Sequence, residues 1–305
     1  MVRYIFRRFL QGIVALFVLS IIMFLLARVT GSPVELLLPP DPTIQEEEYM
    51  TEMLGLDKPL AEQYYSFITK AIRGGLGDSI RYGKPAFELV AQRLPNSLRL
   101  IVAALVFAIA TGVPLGIIAG AHRGSFVDQA ARVTAAVGMA TPGFWIGLML
   151  MYIFAVGLRI LPVARMGGPA HYILPTVSLG LPILAGLARL LRSSMIEVLD
   201  SEFVKLARIK GVSEAKVLWR HCLRNALIPV LSLAGVYIAL LISETIVIET
   251  VFAWPGVGRL AYEGVIYRDY PLVQAVVLTS GTLIIIVNFF IDILYSYIDP
   301  RIRYA

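Results

Sequence analysis

The sequence predicts an all-α, polytopic membrane protein with six transmembrane helices. Three observations indicate this fold class. Of the 305 residues, 58% are hydrophobic and the mean hydropathy is +0.76, values too apolar for a soluble domain of this size. Six apolar runs each have about 20 residues or more, the length that a helix needs to cross about 30 Å of hydrocarbon. The basic residues between these runs are distributed unevenly.

The apolar runs give the predicted spans in chain order. They lie at residues 9–30, 97–121, 131–157, 171–191, 227–250 and 273–298. An even number of spans places both chain ends on one side. With the N-terminus inside, the inner ends and connections carry fourteen Lys and Arg residues and the short outer loops carry four, a positive-inside bias. We therefore expect a multi-pass protein of the cell inner membrane with both termini cytoplasmic. Its basic character reflects this topology and does not predict nucleic-acid binding.

The domain organisation follows from the same pattern. Residues 1–30 form the first transmembrane helix with a cytoplasmic start. A cleaved signal peptide is the rival interpretation, although the apolar run exceeds the usual length and no small-x-small site follows. Residues 31–94, with six basic and ten acidic side chains, form an outer segment of soluble character. Residues 95–298 form a five-helix core that includes a cytoplasmic loop at 200–226, and residues 299–305 form a cytoplasmic tail.

Small residues and prolines predict how some helices pack and bend. Gly112, Gly116 and Gly120 recur at four-residue spacing in the second span. In lipid, small residues at this spacing allow close approach of helix backbones and strong dispersion contacts. Pro114 and Pro142 are expected to kink the second and third spans.

Of the acidic residues in the predicted spans, Glu249 lies at the outer interface and Asp292 near the inner end of the last span, whereas Glu244 lies deeper in the membrane. It follows the inner end of the fifth span by about 25 Å at 1.5 Å per residue. A carboxylate at this depth is costly unless it is paired, solvated or faces a cavity. Glu244 is therefore expected either to line a translocation path or to pair with a neighbouring helix or outer water.

The charged segment at residues 200–229 is predicted to form two short helices separated by a glycine. Asp200 and Ser213 occupy positions from which they can cap the two helices. Gly211 follows the end of the first helix, where a positive φ is common. Apolar residues then recur at three- and four-residue spacing and predict one apolar face, opposite a basic one, suited to docking on a partner. The apolar positions are Val212, Ala215, Trp219, Cys222 and Leu223.

Three motifs resemble one known family. The run from Glu202 to Val230, EFVKLARIKGVSEAKVLWRHCLRNALIPV, resembles the cytoplasmic EAA loop of ATP-binding-cassette import permeases of the peptide/nickel family. Ala207 and Gly211 match the general EAA pattern, and the Asn-Ala-Leu that follows is typical of the peptide branch. The run from Glu249 to Arg259, ETVFAWPGVGR, and the ending DPRIRY also resemble this family.

The resemblance implies a type I ABC importer transmembrane fold and a transport function. The chain would form half of a translocation pathway for di- or oligopeptides, with nickel chelates, glutathione or opines as alternative substrates. Its partners would be a second homologous permease subunit, two ATPase subunits that hold ATP and Mg²⁺, and an extracytoplasmic binding protein. Residues 31–94 would either form an outer cap that helps to receive the binding protein or only pack on the outer surface. The residues expected to contact the ATPase are Phe203, Leu206, Ala207, Arg208, Lys210, Gly211, Val212, Ala215 and Trp219.

Several catalytic patterns are missing from the sequence. No Gly-x-x-x-x-Gly-Lys-Ser/Thr loop occurs, because Gly83-Lys84 is followed by Pro85 and no glycine stands at the required earlier position. The three histidines fall in separate connections, with no Cys or carboxylate at metal-ligand spacing, so no metal site is expected. No Gly-x-Ser-x-Gly or His-Glu-x-x-His motif occurs, so no catalytic residue is expected either. The chain is therefore predicted to be a transport subunit and not an enzyme. A secondary transporter driven by an ion gradient and a purely structural scaffold are the rival interpretations.

Overall fold

The fold was obtained as a computed structural model that describes residues 2–29, 34, 38, 42–232 and 234–298. The predicted tail at 299–305 lies outside these residues. In chain order the helices are α1 (Val2–Val29), α2 (Ile44–Leu54), α3 (Leu60–Ile72), α4 (Ala86–Ala121), α5 (Phe126–Ala140), α6 (Gly143–Leu150), α7 (Ala170–Leu199), α8 (Glu202–Ile209), α9 (Glu214–Lys216), α10 (Leu223–Ser232), α11 (Ala234–Val251), α12 (Val257–Ile266) and α13 (Tyr270–Ile298). Two π-helical stretches, Met151–Gly157 and Val217–Cys222, continue α6 and α9. The predicted all-α class is confirmed.

The helices account for the predicted spans. By length and composition, α1, α4, α7 and α13 are each able to cross a membrane. Two bent pairs raise the number to six if each pair counts as one span. The first pair is α5 with α6 and its π-helical continuation, bent by 107°, and the second runs from α9 to α11 with a bend of 57°.

The sharp bend of the third span has a local cause at Pro142. Proline lacks an N–H and disfavours the helical conformation of the residue before it. Thr141 accordingly ends α5 with extended angles (φ −103°, ψ 125°), and Pro142 is the extended residue before α6 (φ −60°, ψ 139°). The predicted kink at Pro142 is therefore a complete break, whereas α4 continues through Pro114 as one helix.

The described residues form two compact units. One consists of the residues up to Pro95 with Gly256–Phe289, and the other of Asn96–Pro255 with the described residues from Phe290 onward. In the first unit, the buried carboxylate of Asp269 accepts hydrogen bonds from the Ser79 hydroxyl (2.5 Å) and from the N–H of Arg81 (3.2 Å). These bonds fix the loop before α4 to the start of α13.

The outer segment contains the predicted aromatic helix, here α3. The Tyr64 ring packs edge-on against Phe24 of α1 with the ring centroids 5.2 Å apart, and its hydroxyl lies 2.8 Å from the hydroxyl of Ser20. Arg28 stacks on the Phe24 ring and donates to the side-chain oxygen of Gln63 on α3. This part of the outer segment is therefore folded onto the first span.

In the second unit, the glycine face of α4 packs closely on α7. A β-carbon added at Gly112 would lie 3.2 Å from the carbonyl oxygen of Leu184, and one added at Gly120 would lie 2.6 Å from the β-carbon of Met195. Gly116 lies between them in a similar contact. The close helix packing predicted from the four-residue spacing is confirmed, and it occurs within a single chain.

Candidate functional site

The charged segment after α7 begins with a different cap from the one predicted. Asp200 keeps a helical conformation (φ −81°, ψ −5°), and its N–H still bonds to carbonyls of α7. The residue before a helix needs an extended conformation to act as its N-cap, and Ser201 provides it (φ −72°, ψ 150°). The Ser201 hydroxyl donates to the carbonyl of Val198, so it closes α7 rather than capping α8. The prediction that Asp200 caps this helix is wrong because α7 extends to that residue.

The glycine between the two helices behaves as predicted. Gly211 has φ +74°, and its N–H donates to the carbonyl of Arg208 at 2.9 Å. The next N–H, that of Val212, donates to the carbonyl of Ala207 at 3.2 Å, which completes a Schellman-type helix end. No atom outside its immediate neighbours lies within 4 Å of a β-carbon added at Gly211. The glycine is thus required by the backbone conformation and not by crowding.

The second helix of the segment differs from the regular α-helix assumed from the sequence. Ser213 precedes it, as predicted, but its side chain makes no capping hydrogen bond. The π-helical stretch Val217–Cys222 then brings residues five apart onto one side, and Val217 and Cys222 are both completely buried. Trp219 is instead 49% exposed. The single apolar face drawn through Trp219 and Cys222 is therefore wrong, because the π-helical stretch separates these side chains.

The buried side of the segment belongs to a hydrophobic core. Val204 of α8, together with Val217 and Cys222, packs in one cluster with residues from the C-terminal ends of α4 and α7. The members contributed by α4 and α7 are Ile117, Leu187, Leu191 and Met195. Because this cluster joins the segment to two long helices, a force applied to the segment acts on both of them.

The opposite side of the segment exposes large apolar side chains among charged ones. Phe203 is 44% exposed, Leu206 55% and Ile209 81%. Exposed apolar residues that lie close together often mark a protein interaction site. Of the other residues expected to contact an ATPase, Arg208, Lys210, Gly211 and Ala215 are exposed, whereas Ala207 and Val212 are partly buried.

Ile209 was not among the residues predicted from the sequence. It follows Phe203 and Leu206 at three-residue spacing, and this spacing is the signal that could have revealed it.

An ion pair links the two helices across the glycine. Arg208 donates to both carboxylate oxygens of Glu214, at 3.1 and 2.6 Å. Hydrogen bonding to this carboxylate raises the pKa of Arg208 above its ordinary value. Both partners are about half exposed, so the pair orients the helices more than it stabilises them.

Glu244 lies at the break in the third span. Its Oε2 atom would be 3.2 Å from a β-carbon added at Gly143, the first residue of α6. That β-carbon would also lie 3.2 Å from the carbonyl oxygen of Ser178 on α7. Oε2 is buried and has no hydrogen-bond partner among the residues that the structure describes. The third, fourth and fifth spans thus meet around this carboxylate.

The described helices have the transmembrane fold of type I ABC importers. A solved structure with this fold is described as "Inward facing conformations of the MetNI methionine ABC transporter". It matches with a TM-score of 0.56 and 15% sequence identity, over 69% of this chain and 96% of that chain. At this identity the match shows the fold alone.

The sequence assigns the chain to a family. Residues 112–304 match the family described as "Binding-protein-dependent transport system inner membrane component", and residues 1–101 match its N-terminal family. The chain belongs to this family. Relatives named glutathione transport system permease protein GsiC are 38% identical in Escherichia coli O6:H1 and 37% identical in Escherichia coli K12 and Shigella flexneri, each over 100% of both chains. The chain is therefore an integral inner-membrane subunit of an ABC importer, a class that works with ATPase and substrate-binding partners.

Proposed function

We propose that this chain and a second, homologous permease subunit form the translocation pathway of an importer driven by two ATPase subunits. The 200–226 loop binds the ATPase, and an extracytoplasmic binding protein delivers the substrate to the opposite side. The observation that carries the proposal is the two-sided loop. Val204 and Val217 are buried in the core with α4 and α7, whereas Leu206 and Ile209 are exposed where a partner can bind them.

The coupling then follows from simple mechanics. ATP binding closes the ATPase dimer and moves the bound loops together. Because each loop shares a core with α4 and α7, the loop moves these helices with it and shifts the pathway between its inward-open and outward-open states. ATP shifts this equilibrium only by its different affinity for the two states, and a difference of about 5.5 kcal/mol changes the ratio of states from about 1:99 to 99:1.

We propose a short peptide as substrate, with glutathione as the first compound to test. The support is the full-length similarity to relatives named as glutathione permeases, since glutathione is itself a tripeptide. Glu244 is proposed to line the pathway and to contact the ammonium group that such substrates carry. Its support is the buried, unpartnered oxygen at the junction of three spans.

The orientation and the division of labour are proposed on the sequence pattern. The predicted inner ends and connections carry fourteen Lys and Arg residues and the short outer loops carry four, which supports cytoplasmic N- and C-termini. This orientation puts the 200–226 loop on the side of the membrane where ATP is present. The missing nucleotide-binding motif supports a transport subunit without an ATPase site, with ATP and Mg²⁺ held by the partner subunits.

The assembly can be tested by purification from gently solubilised membranes through a tag on this chain. Mass spectrometry of the co-purified proteins should identify two ATPase subunits, a related permease and a binding protein, and the small molecule released from the binding protein should be glutathione or a short peptide. A matched preparation from an untagged strain removes non-specific proteins. Purification of this chain without an ATPase, even after cross-linking in the membrane, would contradict the proposed function.

A further inference from the structure

The turn between α4 and α5 lies at the same end of its unit as the 200–226 loop. Ile117, near the end of α4, is buried in the same cluster as Val217 and Cys222 of the loop. Gly120, one turn later, lies against Met195 of that cluster. The chain leaves α4 at Ala121, directly after these contacts. The turn and the loop are therefore supported by one core.

The turn is held in a fixed conformation. Gly124 has φ +82°, and its N–H donates to the carboxylate of Asp128 at 2.9 Å. Ser125 caps α5 by accepting from the N–H of Asp128. The Arg192 guanidinium of α7 binds both carboxylate oxygens of Asp128, whose side chain is 1% exposed. A buried bidentate ion pair of this kind fixes the turn against α7.

This rigid turn presents an exposed apolar side chain. Phe126, the first residue of α5, is 85% exposed, although Asp128, which holds the turn, is buried and its partner Arg192 is partly buried. His122 and Arg123 beside it are also exposed. His122 lies within electrostatic range of Glu214, the ion-pair partner of Arg208 in the 200–226 loop. The exposed surface of the turn is thus close to that of the loop.

We propose that residues 121–126 form a second contact site for the ATPase subunit, with Phe126 as its apolar anchor. This inference rests on the proposed function, because it extends the ATPase-binding surface of the 200–226 loop. The competing explanation is that the exposed Phe126 side chain inserts into the membrane. The residues typical of membrane interfaces are tryptophan and tyrosine, and anchoring in fluid lipid does not require a rigid turn. A rigid turn does favour binding to a protein surface, because a pre-organised contact loses less conformational freedom on association.

Single-cysteine cross-linking tests this site in the intact complex. The sequence contains one cysteine, Cys222, which is buried and is replaced by the small Cys222→Ala so that added cysteines are unique. ATP-driven uptake by the Cys222→Ala variant is measured first. If this variant has lost uptake, each test cysteine is added instead to the native chain, which keeps the buried Cys222. Phe126→Cys, Ile209→Cys and Val133→Cys are then treated with a short reagent that joins thiols to amines. Val133 is the matched control, because it is 62% exposed and lies two turns further along the same face of α5.

The expected result is a cross-link from positions 126 and 209 to the ATPase and none from position 133. A cross-link from position 209 but not from 126 would overturn this inference and leave the proposed function intact. Absence of cross-links from both positions would overturn both. Labelling of position 126 by a lipid-soluble maleimide, without any ATPase cross-link, would identify the membrane as the occupant and also overturn the inference.

A second readout measures the strength of the contact. Phe126→Ala should weaken ATPase association about tenfold, as expected for loss of a buried aromatic anchor. Phe126→Leu should retain most of the association, and Val133→Ala should leave it unchanged. The melting temperature of the permease should be the same in all three variants, because the substituted side chains are exposed. Unchanged ATPase association in Phe126→Ala would contradict the proposal.

Discussion

Gly116 of α4 lies so close to Ala188 of α7 that a β-carbon at position 116 would be 2.9 Å from the Ala188 carbonyl oxygen. The same β-carbon would be 2.9 Å from the β-carbon of Leu191. Both neighbours belong to a helix interior and have little freedom to move. Since lipid supplies no hydrophobic force between helices, contact of this kind is a main source of helix association in a membrane.

Gly116→Ala is therefore expected to destabilise the permease by about 1–3 kcal/mol, the usual cost of overpacking a close contact. Gly168→Ala is the matched control, because nothing lies within 4 Å of a β-carbon added there. Thermal unfolding in detergent measures the difference. A common melting temperature for the two variants would show that α4 and α7 do not pack in this way.

Gly211→Val is expected to abolish ATP-driven uptake. Glycine adopts φ +74° readily, whereas a β-branched residue is a strong outlier there, with a cost of at least about 1–2 kcal/mol. The space around the position is open, so the strain acts only through the angle between α8 and the following helix. Gly211→Asn is the control, since asparagine tolerates the left-handed conformation. Unchanged uptake by Gly211→Val would refute the coupling role of the loop.

Ile209→Ser tests the residue that the sequence analysis missed. The side chain is 81% exposed, so its replacement should not change the stability of the permease. It should weaken ATPase association about tenfold if the side chain is buried on binding. Ile160→Ser, at a residue 64% exposed in the connection before α7, is the control and should have no effect. Equal co-purification of the ATPase with both variants would show that Ile209 is not part of the contact surface.

Glu244→Gln tests the proposed substrate contact, because glutamine keeps the size of the side chain and removes its charge. Loss of one charge-assisted hydrogen bond to an ammonium group predicts uptake about tenfold slower. ATPase association should be unchanged, and Glu47→Gln, on the exposed helix α2, is the control. Normal uptake by Glu244→Gln would contradict the proposed substrate contact and would indicate that the carboxylate has only a structural role at the helix break.

The sequence predicted those features that depend on composition and on local backbone rules. The apolar runs predicted the spans, and the four-residue spacing of Gly112 and Gly116 predicted the close packing of α4 on another helix. The position of Gly211 after a helix end predicted its positive φ. Such features need no knowledge of tertiary contacts. They were therefore accessible from residues alone.

The features that were missed depend on hydrogen bonding and on neighbouring elements. The exposure of Trp219 follows from the π-helical stretch beside it, which a pattern based on 3.6 residues per turn does not anticipate. Asp200 was assigned to the wrong helix because nothing in the local sequence marks the continuation of α7 beyond residue 191 to Leu199. The partnership of Asp128 with Arg192, 64 residues apart, is visible only in the folded chain.

The central claim is that ATP bound by partner subunits drives transport through this chain, and uptake into liposomes tests it most directly. The complete complex is reconstituted with ATP inside the liposomes and with labelled glutathione and the binding protein outside. The account predicts accumulation that requires hydrolysable ATP, is absent with a non-hydrolysable analogue, and is unaffected when ion gradients are dissipated. Accumulation without ATP that follows an imposed ion gradient would contradict it and would identify the chain as a secondary transporter.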